Sequence, residues 1–85
     1  MAVYRIYFKV SVEKDFNQVP KKDVKKILRR IEMLSEEPRP IGCEKLAGQD
    51  RYRIRQGRYR IIYSILDNDR TVWIVKISHR KDAYR

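Results

Sequence analysis

Residues 52–63 read YRIRQGRYRIIY, with arginine alternating with tyrosine and isoleucine on both sides of Gln56-Gly57. A polar and apolar alternation of period two marks half-buried strands, and the Gln-Gly pair between them is turn chemistry. Two strands folded on that pair make a hairpin. A two-residue turn at Gln56-Gly57 predicts Arg55 opposite Arg58, Ile54 opposite Tyr59, Arg53 opposite Arg60 and Tyr52 opposite Ile61. Arg53, Arg55, Arg58 and Arg60 then share one face, and Tyr52, Ile54, Tyr59, Ile61 and Tyr63 take the core side.

Outward from the hairpin, the turn Asp67-Asn68-Asp69-Arg70 leads into TVWIVKIS, residues 71–78. Strands at 51–55, 58–66 and 71–78 form an antiparallel meander. Upstream, VYRIYFKV at 3–10 reads as a further strand with Tyr4, Ile6, Phe8 and Val10 toward the core. Ser11 is placed to cap a short helix from Val12 to about Gln18, and Pro20 to begin a second one. From Lys21 to about Glu37, Val24, Ile27, Leu28, Ile31 and Leu34 form one apolar stripe. Pro38 and Pro40 end that helix, and residues 38–50 cross as a loop. The expectation is one α+β domain over 1–85, a twisted sheet with a helical hairpin covering one face.

Charge narrows the partner. Twenty-one lysines and arginines against eleven acids give a net +10, a self-repulsion that an anionic partner relieves. No apolar run approaches the roughly 20 residues of a membrane span, so the chain reads as cytoplasmic with no membrane partner. Cys43 is the sole cysteine, which excludes an internal disulfide and a cysteine-based zinc cage. Metal-spaced carboxylate pairs and Gly-rich phosphate loops are missing, so neither a metal nor a cofactor is expected. In the second helix Lys21, Lys22, Lys25, Lys26, Arg29 and Arg30 precede Glu32, Glu36 and Glu37, an order that opposes the helix dipole. Either this is a solvated face or it is a second phosphate-contact strip.

Opposed like charges in a ladder cost up to about 1 kcal/mol per pair. Near the hairpin only Glu44, Asp50 and Asp67 are available to neutralise four guanidinium groups. A phosphate polyanion removes the repulsion, and arginine's planar fork suits it. With no nucleophile and base pair evident, the remaining chemistry is on RNA. There the substrate's own 2′-OH attacks the adjacent phosphate, and the protein aligns groups and stabilises charge.

The run KLAGQDRYRIRQGRYRIIYSILDNDRTVWIVKISHRKDAY, residues 45–84, resembles the RelE branch of the RelE/ParE toxin superfamily. The shared elements are a KLxG turn, a YRIRxGxYRIIY hairpin and a last strand ending near an HR pair and an aromatic residue. The resemblance implies an mRNA interferase that enters the ribosomal A site and cleaves messenger without a metal, held in check by a cognate acidic antitoxin in a hetero-oligomer. It implies that Arg53 and Arg55 contact ribosomal 16S RNA and the scissile region, and that Arg60 and Arg80 stabilise the phosphate and leaving group. Tyr84 then orients a nucleotide, with Arg58, Lys45 and Lys81 as further RNA contacts and Arg55 close to the chemistry. Relatives carry lysines at the positions of Arg53 and Arg55, one of them proposed as general base. Arginine is a poor proton acceptor, so the base stays open between His79 and Tyr84.

Two other functions fit the same fold: a ParE-like gyrase poison without nuclease activity, and a non-catalytic RNA-binding module. The set Arg53, Arg55, Arg60, His79, Arg80 and Tyr84 favours the nuclease, because a gyrase-directed toxin has no need of it.

Overall fold

A computed structural model describes residues 3–48 and 50–79. In chain order the elements are β1 (Arg5–Phe8), α1 (Val10–Asn17), α2 (Lys21–Met33), β2 (Glu44–Lys45), β3 (Tyr52–Gln56), β4 (Tyr59–Leu66) and β5 (Thr71–His79). The sheet runs β1-β5-β4-β3-β2. β1 lies parallel to β5, and every other neighbouring pair is antiparallel. This is the expected α+β architecture, with α1 along β5 and α2 along β3. Among the described residues, no helix is long and apolar enough to cross a membrane.

The hairpin turns one residue later than the sequence suggests. Gln56 pairs with Tyr59, Arg55 with Arg60, Ile54 with Ile61, Arg53 with Ile62 and Tyr52 with Tyr63. Gly57 and Arg58 are therefore the two turn residues. Gly57 has φ +60°, whereas Arg58 is not among the residues of positive φ, the signature of a type II′ turn, which wants glycine at its first central position. Every partner moves by two places, so side-chain parity survives: Arg53, Arg55 and Arg60 still share a face. Arg58 leaves it for the turn.

The core consists of Val12, Ile27, Ile31, Leu34, Ile54, Ile61, Tyr63, Val72, Ile74 and Ile77. Tyr52 and Tyr59 pack against it, in keeping with their parity. In β5 the buried positions change from even to odd between Ile74 and Ile77. An irregularity opposite Ile62/Tyr63 absorbs the slip; an extra residue in one strand lets both stretches keep their apolar side inward.

Other boundaries depart from expectation. α1 starts at Val10 with Lys9 at its N-cap and no side-chain cap, so Ser11 is inside the helix. Val10 and Phe8 are exposed, and only Tyr4 and Ile6 of the first strand reach the core, because the chain turns into α1 where the alternation would have continued. α2 ends at Met33, four residues early. Leu28 is 40% exposed, off the buried line of Ile27, Ile31 and Leu34. The stretch expected as pure loop contributes β2, whose Glu44 and Lys45 pair with Arg53 and Tyr52.

Three polar devices close the fold. β1 ends at Phe8, so β5 beyond Ile74 has lost its parallel neighbour. There the Ile77 backbone N–H donates to Asp15 Oδ2 of α1 at 3.1 Å, satisfying a buried donor. At the opposite end Arg39 donates to both Asp67 oxygens at 2.9 and 3.2 Å, and Tyr4 donates to Asp67 at 2.8 Å. Arg39 also lies 5.1 Å from the Tyr52 ring centre. The buried Tyr63 hydroxyl donates to the Pro38 carbonyl at 2.7 Å, fixing the segment after α2.

Candidate nucleic-acid interface

Parity assigns the side chains of the sheet to two sides. One carries Ile54, Ile61 and Tyr63 beneath the helices. The other carries Arg53, Arg55, Arg60 and Ile62, extended onto β5 by Ser78 opposite Arg60 and Lys76 opposite Ile62. Along this side runs a cavity of about 590 Å³, bounded by Arg53, Arg60, Lys76, Ser78, Leu46 and the end of α1 at Asp15 and Gln18.

Arg60 is the innermost of these cations, only 9% exposed. It sits in the middle strand of the five, between Arg55 of β3 and Ser78 of β5. A guanidinium there is shielded from bulk water, where its pull on an anion is stronger than at an open surface. Arg55, its cross-strand neighbour, is exposed.

Arg53 is held differently. It lies opposite Glu44, and its guanidinium bonds to the Glu44 carboxylate. The arginine side chain is 19% exposed and the glutamate 61%. The more exposed carboxylate thus holds Arg53 from its solvent side. Asp67, another of the three acids near the hairpin in sequence, is engaged by Arg39 instead.

The remaining expected site residues are dispersed. Arg58 is exposed in the turn, and Lys45 pairs with Tyr52, on the side opposite Arg53. His79 pairs with Tyr59, the rings meeting edge-on at 5.3 Å. That register sets His79 on the helix-bearing side, although it lines the end of the same cavity as Arg60. Arg80, Lys81 and Tyr84 lie outside the described residues.

Lys76 is a member of the site that the sequence reading does not single out. It is the one charged residue within an otherwise apolar run of β5, and that interruption, where the core alternation slips, is the signal that marks it. Glu44 stands in the sequence as no more than one of three nearby acids. Its pairing with Arg53 needs β2, which two residues of sequence cannot announce.

The family model described as the ParE toxin of type II toxin–antitoxin systems matches residues 3–84. The chain belongs to the RelE/ParE toxin family. The RelE1 protein of Methanocaldococcus jannaschii, a putative toxin, is 38% identical over 78 residues, covering 87% of each chain. Toxin RelG of Mycobacterium tuberculosis is 31% identical over 86 residues, covering 96% of this chain and 97% of its own. Among solved structures, the RelBE2 toxin–antitoxin complex of Mycobacterium tuberculosis contains a chain of TM-score 0.82 and 26% identity, with 92% of this chain and 99% of that one covered. This RelE-like toxin therefore matches its relatives over nearly their full length, sheet and helical hairpin included.

Proposed function

We propose that this toxin is a metal-independent RNA endonuclease that cleaves messenger RNA in the ribosomal A site. The observation that carries the reading is Arg60, buried in the middle of the sheet in a cavity that Arg53 and Lys76 also line. In the reaction the 2′-oxygen forms a bond to the adjacent phosphorus, and the bond to the 5′-oxygen breaks. The products are a 2′,3′-cyclic phosphate and a 5′-hydroxyl. Arg60 stabilises the extra negative charge on the five-coordinate phosphorus, a role in which preorganised donors are most effective. Arg53, Arg55 and Lys76 hold the flanking strand.

Arg80 assists at the leaving oxygen and Tyr84 orients a nucleotide. Proton transfer from the 2′-OH falls to His79 or Tyr84, since guanidinium does not accept protons at neutral pH. His79 is the chain's single histidine and stands at the end of the Arg60 cavity, so general acid-base work is its proposed part.

The partner under repression is an acidic antitoxin. Structurally similar chains come from toxin–antitoxin complexes, and a net charge of +10 suits an acidic wrapping segment. Primer extension on messenger from cells expressing the toxin tests the activity. Cuts within translated codons, lost in Arg60→Ala, are the expected result. Gyrase-dependent DNA breaks with intact messenger would replace this reading with the ParE-like one.

A further inference from the structure

A second cleft of about 380 Å³ lies between α2 and the tip of the β3–β4 hairpin, and Lys22, Lys26, Arg58, Asp23, Tyr59 and His79 line it. Three fixed cations there face one carboxylate. Tyr59 and His79 also line the Arg60 cavity, so the two basic clefts adjoin around the end of the sheet. Lys22 and Lys26 stand one helical turn apart and are both exposed.

The position of Lys22, in the first turn of α2, is costly without a ligand, and Lys26 stands one turn further along. The N-terminal end of a helix carries partial positive charge, and a lysine in the first turn is destabilising there by a few tenths of a kcal/mol. An anion in the cleft reverses that sign, meeting the lysines and the helix terminus together. Arg58 contributes from the other wall because the type II′ turn holds it out of the arginine face.

Building on the nuclease reading, we propose that the Lys22–Lys26–Arg58 cleft is a flanking subsite for the phosphates of single-stranded RNA. A strand lying across Arg60 passes Tyr59 and His79 and continues into this cleft. The recognised substrate is then longer than the scissile dinucleotide, and its flank is gripped through phosphate alone, without base preference.

The test is binding of a non-cleavable 2′-O-methyl RNA of about 12 nucleotides as salt is varied, using fluorescence anisotropy. For a single strand, removing one phosphate-neutralising cation lowers the salt slope by about 0.7. Lys22→Gln with Lys26→Gln is expected to weaken binding several-fold and flatten the slope by about 1.4, while Lys22→Arg with Lys26→Arg retains wild-type behaviour. The control pair Lys14→Gln and Arg29→Gln removes equal charge outside both clefts, and it is expected to leave the slope near the wild-type value. Identical slopes for the cleft and control variants would overturn the subsite. So would a cleft variant that loses affinity for oligo-glutamate but not for RNA, which would assign the cleft to an acidic protein. Because the RNA is not cleaved, a wild type that binds through the cleft but never cuts messenger would count against the nuclease and leave the subsite standing.

Discussion

Arg55 and Arg60 are directly opposed across the β3–β4 ladder, one exposed and the other 9% exposed. Two guanidinium groups in register repel, and the fold tolerates the cost in the middle of the sheet, on the side opposite Ile54 and Ile61. Such local conflict is expected where function has set the residues. Arg55→Gln should therefore stabilise the free toxin, by up to about 1 kcal/mol at low salt, with the gain shrinking in high salt as screening weakens the repulsion. Urea unfolding at two salt concentrations measures both. A destabilised variant would show that Arg55 contributes more by its contacts than it costs in charge.

Arg60→Met keeps much of the buried stem but removes the charge. Cleavage should fall by about 10²–10³-fold, the scale for losing one transition-state donor, while the fold is retained. Single-turnover cleavage of ribosome-bound messenger and circular dichroism together separate lost chemistry from lost structure.

Glu44→Gln should release Arg53 from its ion pair. An exposed or half-exposed pair of this kind is worth about 0.2–1 kcal/mol, so RNA affinity should rise by no more than about fivefold, with little change in the cleavage rate of bound substrate. Arg53→Ala should weaken binding, and in the Arg53→Ala background Glu44→Gln should have no effect. A gain that persists without Arg53 would mean that Glu44 acts only through general charge.

The Asp67 cluster contributes to the acid limb of stability. Hydrogen bonds from Arg39 and then Tyr4 hold the Asp67 carboxyl below its ordinary value. A carboxyl with a lowered pKa in the fold contributes stability above its unfolded value of about 3.9, lost as pH falls through the lower folded value. Asp67→Asn should cost stability at neutral pH and show a shallower loss between about pH 5 and pH 2. Parallel urea midpoints across that range check the sign.

Tyr63 contributes to the opposite limb. Burial, followed by the contact with Cys43, pushes its phenol far above the ordinary tyrosine range. Its contribution is complete below about pH 10 and fades as pH rises further, because only the unfolded chain then ionises readily. Tyr63→Phe leaves the Pro38 carbonyl without this donor, so it should cost about 1–3 kcal/mol at neutral pH. It should also unfold less steeply in alkali.

The sequence by itself determined the elements other than β2 and the allocation of the hairpin side chains to faces. Period-two alternation in 52–63 separates Arg53, Arg55 and Arg60 from Ile54, Ile61 and Tyr63 whichever of two turn positions is used, because a two-place shift of partner preserves parity. The helical stripe likewise found Ile27, Ile31 and Leu34. Three-dimensional pairing decided the rest. Glycine's access to positive φ put the turn at Gly57-Arg58 and sent Arg58 toward α2. Long-range pairing made β1 parallel to β5, raised Glu44 to an edge strand beside Arg53, and brought Lys76 to the arginine side through the irregularity in β5. Local propensity is blind to these outcomes, since each depends on residues that meet only once the sheet has closed.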